Sequence, residues 1–116
     1  MGFERMGVGK RMSQAVVHGD TVYTAGQVAH EAAGKSVGEQ TREILENIET
    51  LLKEAGTDKT RLLSAQIWLS DISTFDEMNA VWDEWVAEGN PPARACVESK
   101  LAAPQYNVEI MVIAAR

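Results

Sequence analysis

The chain has 116 residues, 45% hydrophobic and 24% charged, with a formal net charge of −6. That composition fits one globular core and is too apolar for a disordered chain. The negative balance argues against a general nucleic-acid binder, and no apolar run nears the roughly 18 residues that a membrane span requires.

Residues 1–10 are punctuated by Gly2, Gly7 and Gly9 and read as loosely ordered; Glu4, Arg5, Lys10 and Arg11, with no apolar stretch, do not make a signal peptide. Cys96 is the single cysteine, so no internal disulfide can form, and a cytoplasmic setting is the expectation. Two β-rich runs follow, residues 13–17 and 21–25, joined by His18-Gly19-Asp20 as a hairpin. Residues 27–35 read as a loop. Ser36 and Glu39 then fit a capping box that opens a helix with Ile44, Leu45, Ile48, Leu51, Leu52 and Ala55 on one stripe. Gly56 stops it.

Residues 62–70, with Ile67-Trp68-Leu69, read as a well-buried strand. Thr74 and Glu77 suggest a second capping box, opening a helix whose inner side carries Phe75, Met78, Val81, Trp82, Trp85 and Val86. Gly89-Asn90-Pro91-Pro92 ends that helix, because proline cannot continue it. Two last strands, residues 93–100 and 106–114, flank a loop at 101–105. The order ββαβαββ predicts an α+β fold: one mixed sheet with both helices on one face. In the last strand Val108, Ile110, Val112 and Ala114 form one apolar row, and Met111 and Ile113 belong to the other. Helices can cover only one of these faces, so self-association is expected to cover the second.

Two charged residues stand out. Alternation puts Arg94, Cys96, Glu98 and Lys100 on one side of their strand, and two prolines stiffen the backbone just before Arg94. A guanidinium so held can grip a carboxylate through two parallel hydrogen bonds; equally, it can be a surface ion-pair partner. Glu109 shares a strand face with Met111 and Ile113, and a carboxylate among apolar neighbours is either paired or shifted toward its protonated form. It is a candidate general acid or base, or else a strand-edge Glu whose head reaches water. Cys96, near Arg94, is either an activated thiolate or a small hydrophobe. His18 and His30 lack partners at metal-ligand spacing, and no phosphate-binding glycine loop or Ser/His/Asp arrangement is present.

The run Pro92-Ala93-Arg94-Ala95-Cys96-Val97-Glu98, with Leu101, Pro104 and Val108-Glu109-Ile110, resembles the C-terminal signature of the RidA/YjgF/UK114 family of reactive-intermediate deaminases. Val22 to Gln27 resembles that family's strand ending in Ser-Gly-Gln, and Asn79 matches a typical family position. The likeness covers nearly the whole chain from about Met12 onward, and its fine texture looks like the YoaB-like branch. It implies a chorismate-mutase-like fold, a homotrimer with a central barrel of sheets, and clefts between subunits. It further implies hydrolysis of enamines and imines such as 2-aminoacrylate to 2-oxo acids and ammonia, as in a 2-iminobutanoate/2-iminopropanoate deaminase, with no metal or organic cofactor. Mapped onto this chain, Arg94 would hold the substrate carboxylate and Glu109 would serve the attacking water. Cys96, Gly26, Ala25, Met12 and Asn79 would line the pocket. Two positions depart from the pattern: Met12 stands where many relatives have Tyr, and Ala25 where they have Ser before Gly26. Both make the pocket more apolar and leave open a second reading, a binding module for small carboxylates or 2-oxo acids without turnover. A ribonuclease or translation inhibitor, proposed for some relatives, fits the acidic balance poorly.

Overall fold

In a computed structural model of the protein, which describes residues 2–116, the stripe after Ser36 becomes helix α1 (Val37–Glu54). Ile44, Leu45, Ile48 and Leu52 are buried, whereas Leu51, at the margin of the stripe, is half-buried. Ser36 Oγ accepts the Glu39 N–H at 3.1 Å and so satisfies a free amide of the first turn. At the far end Gly56 takes φ +85°, a left-handed conformation that lets the chain turn back without a Cβ penalty.

Helix α2 (Phe75–Trp85) starts differently from the sequence expectation. Thr74 has φ −90° and ψ 7°, not the extended backbone a cap needs, and its side chain caps nothing. A 3-10 turn at Ile72–Thr74 precedes the helix instead, led by Asp71, whose carboxylate accepts the Ser73 N–H at 2.9 Å. Glu77 leaves its own helix and accepts the Gly38 N–H at 2.8 Å. The acid therefore caps α1, not α2, and ties the two helix starts together. Helix α2 also ends at Trp85, ahead of the Gly89-to-Pro92 segment.

Six strands form one sheet: β1 (Phe3–Met6), β2 (Ala15–His18), β3 (Thr21–Thr24), β4 (Leu62–Leu69), β5 (Ala93–Glu98) and β6 (Val108–Ala115), in spatial order β1-β2-β3-β6-β4-β5. Only β4 and β5 run parallel. Strand β1 corrects the reading of residues 1–10 as loosely ordered: Phe3 pairs with His18, and Met6 with Ala15. Met1, in the same stretch, lies outside the described residues. Strand β5 stops at Glu98, two residues short of Lys100, and Glu98 Oε2 takes the Ile72 N–H at 3.0 Å.

The core lies between the sheet and the helices, where Val17, Val22, Ile67, Leu69, Ile110 and Val112 meet α1 and α2. The molecule is 21 Å through its thin axis, the depth of two layers. Among the described residues no element backs the opposite face. There Tyr23 and Val97 are each 45% exposed, and Trp68, Met111 and Ile113 remain half-buried.

Candidate active site

Arg94 belongs to the helix side of the sheet. It pairs in register with Ala65, which is buried, and the row continues through Cys96 and Glu98. Its guanidinium lies against α2: Nη1 donates to Asn79 Oδ1 at 2.7 Å, and Cζ sits 5.2 Å from the Trp82 ring centre and 5.8 Å from that of Phe75. Among the described residues no carboxylate pairs with it. Cys96 is half-buried, and burial pushes its thiol up, with Arg94 opposing more weakly. The activated-thiolate alternative loses to that desolvation, and the residue is a neutral, small apolar group.

Glu109 occupies the other face. It stands cross-strand from Trp68, in the row of Met111 and Ile113, as alternation required. Burial pushes its carboxyl above the ordinary glutamate value, and no cation among the described residues pairs with it. The space it fills is made by Gly26. Strand β3 pairs with β6 as far as Tyr23, opposite Ile113. Thr24 then replaces a strand pair with its side chain, Oγ1 accepting the Val112 N–H at 3.0 Å. Pairing resumes where Gln27 exchanges backbone bonds with Ile110 at 2.8 and 3.1 Å. Ala25 and Gly26 bulge between these two anchors. A Cβ on Gly26 would overlap Glu109 Oε2 and lie 2.9 Å from Cδ. The missing Cβ at Gly26 is thus what lets the Glu109 carboxyl sit where it does.

The structure brings Arg94, Asn79 and Cys96 together on one side, and Gly26, Ala25 and Glu109 on the other. Met12 lies in the turn between β1 and β2, its side chain 48% exposed and its carbonyl accepting the Gly9 N–H at 2.8 Å. A groove of about 380 Å³ runs along the open face near the β5 edge, between Gln66, Ala93, Arg94 and Met111. His18 stacks on Phe3, and His30 Nδ1 meets the Tyr106 hydroxyl at 3.1 Å; both are structural contacts. Among the described residues no group of three acidic, His or Cys side chains is placed to hold a metal ion.

Gln40 is the residue the sequence did not flag. Fully buried, it donates to the Lys35 carbonyl and to Asn107 Oδ1, both at 2.9 Å, and accepts the Asn107 N–H at 2.9 Å. It fixes the approach to β6 and hence the start of the strand that carries Glu109. A glutamine beside an apolar stripe gives no local signal of this, since Asn107, its partner at the start of β6, is 67 residues away.

The family model described as Endoribonuclease L-PSP matches residues 4–116. The chain belongs to the YjgF/L-PSP family. Members of this family closely similar to it include a RutC family protein of Haemophilus influenzae, 41% identical over 98% of either chain. The RutC family protein YoaB of Escherichia coli is 38% identical over 90% of each, in line with the YoaB-like texture of the sequence. Among solved structures, a member of the YjgF protein family from Neisseria meningitidis superposes with a TM-score of 0.96 at 40% identity, covering 100% of this chain and 96% of its own. The YjgF/L-PSP fold of these neighbours is the two-helix, six-stranded mixed sheet described above.

Proposed function

We propose that the protein hydrolyses small carboxylate-bearing enamines and imines to 2-oxo acids and ammonia, in clefts formed where copies of the chain meet. The observation that carries this is the division of the site. Arg94 offers unpaired donors on the helix side of the sheet edge, and Glu109 is a half-buried, unpaired carboxyl on the open side. Neither half is complete. A second copy laid against the open face supplies the missing half to each, and covers the exposed Tyr23 and Val97. A homotrimer closed around its sheets, the assembly implied by the sequence resemblance, meets both needs.

In such a cleft Arg94 grips the carboxylate with its fork and thereby places the imine carbon. Glu109 accepts a proton from water as the water oxygen bonds to that carbon, and the C=N electron pair moves to nitrogen. Glu109 returns that proton to the nitrogen, giving an adduct with C–OH and C–NH2. The hydroxyl then loses its proton through Glu109 to the nitrogen as the C–N bond breaks and the C=O forms, so both water protons leave with ammonia and the 2-oxo acid remains. Burial suits Glu109 to this exchange, because a carboxylate whose pKa is raised by desolvation is a stronger base than an ordinary glutamate. Imines already hydrolyse in water, so positioning plus one proton carrier suffices.

Met12 and Ala25 favour a second reading, binding of the same carboxylates without turnover, since each lacks a hydroxyl that could assist proton transfer. One assay separates the two. An amino-acid oxidase generates the imine in the presence of semicarbazide, and the trapped semicarbazone is followed with and without the protein. A deaminase lowers trapping, and Arg94→Ala and Glu109→Gln abolish the effect. Unchanged trapping with the wild-type protein sinks the enzymatic reading and leaves the binding one.

A further inference from the structure

Phe75, Asn79 and Trp82 stand at intervals of four and three residues along α2, one stripe of the helix, and all three converge on the guanidinium of Arg94. We propose that this stripe is a positioning device that holds Arg94 in one plane without neutralising it, and so commits the site to planar anions gripped side-on. The proposal rests on the carboxylate-binding role given to Arg94 above, and it makes Asn79 a partner of Arg94, not of the substrate.

The chemistry of the three contacts supports this. Trp82 is 5% exposed, so the ring beneath the guanidinium is itself fixed by the core. Phe75, 36% exposed, flanks the guanidinium from the solvent side. Cation–π contacts of this kind favour the charged group and restrict its tilt. Asn79 occupies one Nη1 donor with an amide oxygen, and among the described residues the Nε–Nη2 edge, a parallel pair of donors, has no partner. An aspartate would make the same hydrogen bond with nearly the same shape. It would also cancel the charge that a ligand carboxylate must meet. An amide oxygen orients and does not compete.

This distinction gives the test. Binding of 2-oxobutanoate to the assembled protein is measured by calorimetry for wild type, Arg94→Ala, Asn79→Asp, Asn79→Ala and Phe75→Leu, with folding checked by circular dichroism. Asn79→Asp is expected to fold as the wild type does and to weaken binding by roughly tenfold or more, through like-charge competition. Asn79→Ala, which loses orientation but keeps the charge free, is expected to weaken it less. Phe75→Leu, at an exposed position, is expected to lose about two- to fivefold. A merely structural Asn79 would tolerate Asp at least as well as Ala, and that result overturns the proposal; if Asn79→Asp does not fold, unchanged binding by Phe75→Leu does so. Wild-type protein that fails to bind 2-oxobutanoate overturns the carboxylate reading and this proposal with it. Normal binding by the wild type, lost in Arg94→Ala but kept in Asn79→Asp, overturns this proposal alone.

Discussion

Gly26 and Glu109 illustrate how a missing side chain can set a functional one. The atoms that a Cβ at Gly26 would strike belong to the end of a flexible glutamate, not to backbone. Gly26→Ala should therefore fold, at a cost of about 1 kcal/mol or less, because Glu109 can swing away. The proposed imine-hydrolysing activity should fall in this variant about as far as in Glu109→Gln, and combining the two substitutions should add little. Thermal unfolding together with the trapping assay checks both halves; a large further loss in the double variant would separate Gly26 from Glu109. The raised pKa of Glu109 has a sign as well. Its folded-state pKa lies above the unfolded value, so the stability it confers is present below the unfolded pKa and lost as pH rises through the folded one. Unfolding free energy should therefore decline across that interval in the wild type, and Glu109→Gln should flatten the decline. As the proposed base, Glu109 must be ionised, so the acid limb of kcat/KM should lie at higher pH than an ordinary glutamate would give. An acid limb in the ordinary glutamate range would remove Glu109 from the proton transfer.

At the scale of elements, much was legible because the signals were local. The stripe of α1, its Ser36 cap and the alternation of β6 each follow from spacing, and each has its predicted counterpart. Ser36→Ala should accordingly cost about 1 kcal/mol in a denaturant titration. What depended on distant partners was not legible. Strand β1 exists because β2 offers it an edge, and four residues reading Phe-Glu-Arg-Met carry no alternation that would announce it. Glu77 looked like the cap of its own helix, yet it satisfies an amide 39 residues away. The site shows the same limit. Arg94 and Glu109 were visible as anomalies, but which face each occupies depends on the pairing of both strands with β4. Placing a face on one strand relative to another needs the register, and register is a tertiary fact.

At the scale of the whole molecule, a two-layer slab with one apolar face predicts assembly. Val97→Lys and Met111→Glu, placed on that face, should reduce the assembled species in light scattering while leaving the secondary structure of each chain intact. A wild-type protein that stays monomeric at micromolar concentration would refute the shared cleft outright. The slab has a further consequence for mixtures. If every working centre takes its guanidinium from one copy and its carboxylate from a neighbour, two dead variants can repair each other. Arg94→Ala and Glu109→Gln chains, unfolded and refolded together in equal amounts, should regain activity in about one quarter of their centres by random association. Neither variant refolded alone should regain any.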